Sequence, residues 1–255
     1  MRIPLVTIIA LLLLPPPTLA QLPLVAFSGG GGGTRAGNYQ GNATFRLPMP
    51  PFSVTAGAPY SGQQVDVNVQ TLADGSTISN ATGFQQKAWR DSQGRVRVER
   101  SVIAGRGSSR LKNVPILVSI QDPVAGFAYI LDDQTRVVHR IPLATVASRV
   151  QASVSGNLGT QVIDGIEANG NRTTMVVPAN TRGNSDPITV TRDEWVSPEL
   201  NLAILVVTTN PAQGVATSKI SNLTRIAPDP TLFQIPLDYT LVDEKQTFTI
   251  QWVGN

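Results

Sequence analysis

The stretch QQVDVNVQTL, residues 63–72, decides the fold class of this chain. Its valines Val65, Val67 and Val69 alternate with polar residues, and a period of two is typical of a β-strand with one face against a core. The residues that follow, ADGS at 73–76, favour a chain reversal. We therefore expect a strand with a buried valine face, followed by a turn.

The same rhythm continues outward along most of the chain. The apolar runs VPILVSIQ, FAYILD and RVVHRI are separated by DPVAG and DDQT, and later runs are separated by SPEL and NPAQG. Each separator carries the Pro, Asp, Gly or Asn that a reversal favours. The sequence predicts a mainly β fold, a curved antiparallel sheet or incomplete β-barrel built from hairpins. The only stretch with helical spacing covers residues 144–158.

A proline-framed segment, RIAPDPTLFQIPLDYTL at 225–241, interrupts this pattern. Asp229 is suited to cap a helical turn, and Pro230 is suited to its first position, where a missing N–H costs nothing. Pro236 returns the chain to extended geometry. We expect a single turn that packs Leu232 and Phe233 onto the sheet and closes an exposed end of it.

The first twenty residues have the pattern of a secretory signal peptide. Arg2 precedes an apolar run at 3–14, three prolines interrupt it, and small residues lead to a cleavage site between Ala20 and Gln21. The run is shorter than the roughly 20 residues of a membrane-spanning helix. We expect a mature chain without a transmembrane anchor. Because the sequence has no cysteine, a bacterial periplasmic or secreted protein fits best.

The predicted domain organisation follows from composition. Residues 1–20 are the signal peptide, and residues 21–51, rich in Gly and Pro, are predicted to be a flexible linker. Residues 52–255 are predicted to form a single antiparallel β domain. An alternative divides most of it into two lobes, 52–142 and 159–252.

The sequence contains no catalytic, cofactor or metal signature that we recognise, and we predict a non-enzyme without a cofactor. Its formal net charge of +3 is too small to indicate nucleic acid as a partner.

His139 is either a general base or, as we favour, a hydrogen-bonded imidazole at the core edge. Ser109 and Lys112 have the spacing of an acylating pair without its companion motifs. Glu194 and Glu199 flank a turn and are expected to be solvated.

Arginines around residues 90–112 form the strongest charge feature. Arg95, Arg97 and Arg100 are candidates for an anion-facing patch that would suit lipid phosphates or acidic polysaccharide. The alternative, which we favour, is that these charges protect an exposed edge strand from pairing with another chain.

Five segments follow one another along the chain: IQDPVAGFAYILD, RVVHRIPL, LGTQVIDGIEANGNRTT, EWVSPELNLAILV and ISNLTRIAPDPTLFQIPLDY. Together they resemble a family of uncharacterised secreted proteins of soil bacteria. The predicted sheet followed by DPTLFQIPLDY also resembles, more distantly, the outer-membrane lipoprotein-sorting and sigma-factor-regulator group. That resemblance implies an incomplete antiparallel barrel whose concave face takes up acyl chains or a partner.

Three functional hypotheses follow. The first is an exported binding protein that takes an apolar or lipid-like ligand, or a partner segment, on a concave sheet face. The second is an envelope interaction or structural protein without a small ligand. The third is a hydrolase whose site the sequence does not reveal.

Cleavage is expected after Ala20, because small residues follow the proline break there. N-terminal sequencing of the exported protein checks this expectation, and a mature chain that still contains residues 11–14 would contradict it.

Overall fold

The computed structural model describes residues 26–28, 39–45, 47, 55–72, 74–101, 116–143, 156–181 and 183–254. Within these ranges, the regular structure is strand except for one 3₁₀ turn. None of the described residues forms a helix with the length and apolarity needed to span a membrane. In chain order, the elements are β1 (Ala26–Ser28), β2 (Tyr39–Phe45), β3 (Tyr60–Thr71), β4 (Thr77–Arg90), β5 (Val96–Ser101), β6 (Ile116–Asp122), β7 (Phe127–Asp132), β8 (Val137–Pro142), β9 (Gly156–Ile163), β10 (Ile166–Val177), β11 (Ile188–Ser197), β12 (Leu202–Asn210), β13 (Gly214–Thr224), the 3₁₀ turn (Pro230–Phe233), β14 (Thr240–Asp243) and β15 (Phe248–Gly254).

A 12-stranded sheet contains most of the strands, in the order β14-β8-β7-β6-β5-β4-β3-β13-β12-β11-β10-β9. Two series of antiparallel hairpins, β3 to β8 and β9 to β13, join through the β13–β3 pair. The sheet curves without closing into a barrel, which confirms the predicted fold class. A second, 3-stranded sheet has the order β1-β2-β15.

Aspartates form several of the reversals between strands. Asp91 accepts hydrogen bonds from the backbone N–H groups of Gln93 and Arg95, at 3.0 and 2.9 Å. Asp122 accepts from the N–H groups of Val124 and Ala125, both at 2.9 Å. Such local bonds satisfy backbone donors that leave the ladder at a turn. They explain why Asp in the sequence marks the strand ends so well.

The main apolar cluster fixes which face of the large sheet is its inner face. It joins Val98 and Leu117 to Ile141 of β8 and to Val206 of β12, strands that lie on either side of the β13–β3 pair in the strand order. We call the face that carries Val98 and Leu117 the inner face, because the sheet curves around this cluster. The opposite face is the outer face.

The small sheet packs into the inner face. Phe45 of β2 and Ile250 and Trp252 of β15 are each 2% exposed and belong to the same cluster. Phe248 stacks on Phe45 with ring centroids 4.9 Å apart. The chain itself therefore covers the apolar part of the inner face. It does so with one face of β15, on which the alternating apolar residues of that strand lie.

Two expectations from the sequence are corrected by these strands. The predicted linker at 21–51 contains β1 and β2, and β2 pairs along its length with β15; its run of glycines lies outside the described residues. The predicted helical stretch at 144–158 ends in strand, because residues 156–158 begin β9. Residues 144–155 lie outside the described part.

The 3₁₀ turn covers the outer face over β5 to β8. Asp229 caps it by accepting from the Thr231 N–H at 2.9 Å, with Pro230 at the first position, as the sequence predicts. Phe233 is 6% exposed and packs with Ile120, Leu131 and Val138. The turn thus lies on a face of the sheet, whereas the sequence placed it at an exposed end.

The edge beside β8 is closed by β14, which pairs with it in parallel. Arg140 donates to both carboxylate oxygens of Asp243 at 2.5 and 2.8 Å. Beyond β14, the chain crosses to the inner face and forms β15. The C-terminal segment therefore contacts the outer face, the edge and the inner face in turn.

Replacing Phe233 with Ala is expected to lower the free energy of unfolding by about 3–5 kcal/mol, the usual cost of removing a buried aromatic ring. Leu237→Ala is the matched control, because Leu237 lies four residues further on and is fully exposed. Its effect should stay within about 0.5 kcal/mol. Urea denaturation of both variants measures the difference, and equal stabilities for the two would contradict the burial of Phe233.

Candidate ligand-binding face

Polar side chains cross the inner face beside the apolar cluster. Cross-strand partners form a row over five adjacent strands, from Leu117 through Arg100, Gln86 and Gln64 to Ile220. Gln86 is 5% exposed. Burial lowers the pKa of Arg100, while the charge of Asp66 acts in the opposite direction. The inner face therefore changes from apolar to polar along the strands.

A hydrogen-bonded group links β3, β4 and β13 at this row. Gln64 donates from Nε2 to both carboxylate oxygens of Asp66, at 2.9 and 3.0 Å, and the Ser218 hydroxyl donates to Asp66 as well. Gln86 donates to the Gln64 Oε1 at 3.4 Å. Because each member holds the next, this group gives the polar part of the inner face a fixed geometry.

Further along the strands, the inner face is partly exposed to solvent. Glu194 and Val206 are cross-strand partners, as are Arg192 and Thr208, and Thr208 in turn pairs with Ala216. We call these five residues the open strip. Val206 is 4% exposed and belongs to the main apolar cluster, whereas Ala216 is exposed. The open strip therefore places partly exposed charged groups and the exposed Ala216 beside a residue of the core.

The charges of the open strip are poorly satisfied within the described chain. Arg192 Nη2 lies 3.9 Å from Glu194 Oε1, which is too far for a hydrogen bond. Burial raises the pKa of Glu194, and the charge of Arg192 opposes this increase. Burial also lowers the pKa of Arg192, with Glu194 opposing. For both groups, desolvation shifts the pKa more than the attraction between the two charges does.

The three arginines of the predicted anion-facing patch lie on two faces. Arg95 Nε pairs with Asp91 at 2.6 Å, and Arg97 donates to the Leu232 carbonyl at 2.9 Å. Both therefore lie under the 3₁₀ turn on the outer face. Arg100 lies on the inner face, because side chains alternate along a strand. A single patch of the three does not form.

The alternative interpretation of these arginines, protection of an edge strand, is also wrong. Strand β5 lies between β4 and β6 inside the large sheet. Arg95 instead lies over the Phe233 ring, with its guanidinium carbon 5.2 Å from the ring centroid. Arg95 and Arg97 thus attach the 3₁₀ turn to the sheet through a cation–π contact and a hydrogen bond.

His139 has the structural environment that the sequence favours. Its Nδ1 lies 2.7 Å from Glu244 Oε1, and its ring stacks on Phe248 with centroids 4.5 Å apart. The side chain is 15% exposed. The expectation of a hydrogen-bonded imidazole at the core edge is confirmed, and this histidine connects β8 to the segment that leads into β15.

The carboxylates near the β11–β12 turn do not converge. Asp193 pairs with Arg172 at 2.6 Å, and Glu199 pairs with Arg225 at 3.2 Å. Glu194 was expected to be solvated, yet its side chain is only 16% exposed, because it lies within β11 rather than at the hairpin tip. Among the described residues, no group of three His, Asp or Glu side chains is arranged to hold a metal ion. Residues 109 and 112, whose spacing resembles that of an acylating pair, lie outside the described ranges.

Comparison with known proteins identifies similar folds. No protein-family model matches the chain, and no curated protein matches it. An uncharacterised conserved protein from Thermus thermophilus is 11% identical over 74% of this chain and 91% of that chain, with a TM-score of 0.41. A structure of the Pseudomonas aeruginosa MucA/MucB complex is 14% identical over 72% of this chain, with a TM-score of 0.40, and the match spans 58% of that chain.

A LolA superfamily protein from Nitrosomonas europaea is also similar, with 7% identity over 71% of this chain and 91% of that chain and a TM-score of 0.29. The structural neighbours thus include both groups that the sequence resembles at a distance, the lipoprotein-sorting proteins and a sigma-factor regulator. At such low identities, the similarity concerns the fold alone.

Sequence reasoning missed the open strip, although one signal for it was present. In TRDEWV at 191–196, strand alternation places Arg192 and Glu194 on one face and Asp193 on the other. The alternation does not indicate which face is concave. That depends on the distant strands that meet in the main apolar cluster.

Glu194→Gln is expected to stabilise the protein at about pH 7 relative to the wild type. Burial raises the folded-state pKa of Glu194 above its ordinary value of 4.5, so the folded chain binds this proton more tightly than the unfolded chain. The wild type therefore loses stability as the pH rises through that range, and a neutral Gln does not. Urea denaturation as a function of pH measures the difference, which should vanish below pH 4.5.

Asp193→Asn is the control for this comparison. Asp193 follows Arg192 on the same strand but accepts two hydrogen bonds from Arg172, both at 2.6 Å. Its replacement should bring no gain in stability at neutral pH. A Glu194→Gln variant that is less stable than the wild type at neutral pH would show that attraction to Arg192 outweighs desolvation.

Proposed function

We propose that the protein is a non-enzymatic binding protein, exported to the bacterial periplasm or beyond the cell, whose ligand occupies the open strip of the inner face. The ligand is a partner segment or an apolar, lipid-like molecule. The observation that carries the proposal is the open strip itself: Ala216 is exposed beside the core residue Val206, and the partly exposed charges of Arg192 and Glu194 lie 3.9 Å apart, too far for a hydrogen bond.

The division of the inner face favours the partner segment over a long hydrocarbon. The apolar part is already covered by Phe45, Ile250 and Trp252. A hydrocarbon placed on the open strip would further desolvate Arg192 and Glu194 without replacing their hydrogen bonds with water, which is costly. A segment with polar groups and small apolar side chains avoids that cost.

A second candidate function, interaction with an envelope protein, is favoured by the outer face. Val65, Val67 and Val69 alternate on β3, and Val67 has Thr217 of β13 as its cross-strand partner. Val65 is 40% exposed, and the apolar cluster beneath the 3₁₀ turn does not include these valines. Exposed apolar surface of this kind marks interaction sites in soluble proteins when it is contiguous.

Ala216→Trp and Thr217→Trp separate the two candidates, because neighbouring residues on one strand point to opposite faces. We expect wild-type protein purified from a bacterial envelope fraction to retain a lipid or peptide that mass spectrometry detects. Ala216→Trp should lose it, since the indole fills the open strip, and Thr217→Trp should retain it.

The remaining outcomes are equally informative. If only Thr217→Trp loses the bound ligand, the ligand binds to the outer face. Retention of the ligand by both variants, or a wild type without any ligand, would contradict binding at the open strip. Circular dichroism of each variant first establishes that its strand content is unchanged.

A further inference from the structure

One edge of the large sheet is formed by β9, the last strand in the strand order. Within the described residues, β10 is the only strand that pairs with β9. An edge of this kind can add a strand from another chain, and natural proteins usually prevent this with charged side chains, proline or a very short edge strand. Strand β9 has eight residues, GNLGTQVI, with neither a charge nor a proline. Its sequence therefore contains none of these obstacles to pairing.

The turn between β9 and β10 determines which backbone groups face away from the sheet. Residues 164–165 both have positive φ, at 49° and 78°, as a type I′ hairpin turn requires. The residues that flank the turn, Ile163 and Ile166, are cross-strand partners. In such a hairpin they exchange both of their backbone hydrogen bonds, and bonded and non-bonded pairs alternate from there. Val162 and Thr160 therefore direct their N–H and C=O groups away from β10.

The same stretch of β9 is accessible and regular. Val162 is 69% exposed, and Thr160 and Gln161 are exposed as well. A β-bulge twists an edge strand and can end its pairing. The irregularity of the β9–β10 pairing lies between Asn157 and Gly159, before this stretch. Residues 160–163 thus offer a straight edge.

The opposite edge of the sheet differs in its charge. Strand β14, which forms it, has only four residues, TLVD. Its Asp243 pairs with Arg140 at 2.5 Å, and charged residues follow at 244 and 245. In a symmetric dimer, residues near the two-fold axis lie opposite their own copies, so a charged strand would meet like charges there. This repulsion disfavours self-pairing of β14 and is absent from β9.

We propose that β9 pairs in an antiparallel manner with β9 of a second copy of this chain, in the register that places Gln161 opposite its own copy. This inference does not depend on the proposed function. In this register, Thr160 of each copy lies opposite Val162 of the other, and the two residues exchange their outward-facing N–H and C=O groups as hydrogen-bonded partners. The two Gln161 amides lie side by side at the axis, where each donates and accepts without a charge.

Other symmetric registers use the edge less well. If Val162 lay opposite its own copy, Thr160 would lie opposite residue 164 of the turn. If Thr160 lay opposite its own copy, Val162 would lie opposite residue 158 in the irregular part of β9. Only the register centred on Gln161 pairs both outward-facing residues with each other. Because a single pair of strands buries little surface, the dimer is expected to be weak and to depend on concentration.

The first test exchanges charges at the axis. Sedimentation velocity of the wild type should give a mass that rises from one chain towards two with increasing concentration. Gln161→Lys and Gln161→Glu should each raise the dissociation constant about fivefold at low ionic strength, the effect of two like charges about 4 Å apart in water. An equimolar mixture of these two variants should recover the association, because Lys then lies opposite Glu.

The second test removes one outward-facing N–H. Val162→Pro eliminates this donor without breaking the ladder to β10, since proline is tolerated on the open side of an edge strand. It should abolish measurable association. Leu241→Pro is the matched control on β14, because the Thr240 and Glu244 N–H groups bond to β8 and that of Leu241 faces away. It should leave the dissociation constant unchanged. If Val162→Pro does not fold, the charge variants decide alone.

Amide hydrogen exchange locates the contact. The N–H groups of Thr160 and Val162 should exchange more slowly as the protein concentration rises, whereas that of Gln161, already bonded to β10, should change little. A wild type that stays monomeric at the highest concentration measured would overturn the inference. A dimer that both charge variants leave intact, or one that Leu241→Pro alone dissociates, would also overturn it. A mixture of the charge variants that does not recover would show that Gln161 is not at the axis.

Discussion

The insertion of β15 and β2 into the inner face is the contact on which the rest of the structure depends. A large sheet that curves without closing leaves an apolar concave surface, and such a surface is stable only when something covers it. Ile250 and Trp252 cover it from the C-terminal side, and Phe45 covers it from a segment some two hundred residues earlier. The core is therefore made by the two ends of the described chain together with the sheet between them.

The path of the C-terminal segment explains the proline-framed turn. The chain must cross from the outer face, past the edge beside β8, to the inner face. Phe233 anchors the first part and the Arg140–Asp243 pair anchors the second. His139 contacts both Glu244 and Phe248 just before β15 becomes buried. Each contact reduces the freedom of the following residues, so the rigid turn at 230–233 helps to position a strand that lies on the opposite face.

Local chemistry was enough to predict much of this fold, but it did not predict the pairing of strands that are distant in the sequence. Strand alternation and Asp-containing turns were read correctly, as were the cap at Asp229 and the burial of Phe233. The pairing of residues 39–45 with β15 leaves no local signal in a glycine-rich segment, so β2 was mistaken for linker. Alternation also leaves the covered face undetermined. In β3, Val65 was expected to be buried and is 40% exposed, whereas the polar Asp66 lies on the curved inside of the sheet.

The division of the inner face also constrains the chemistry of binding. Where the small sheet packs, the surface is dry and offers no place for a ligand. Beyond it, Gln64, Asp66 and Ser218 satisfy one another, and they have little to gain from a new partner. Arg192 and Glu194 differ, because their separation along one strand prevents the hydrogen bonds that their charges would otherwise form. Burial already opposes the ionisation of both groups, so this part of the inner face is distinguished by its two charged side chains and not by free apolar surface.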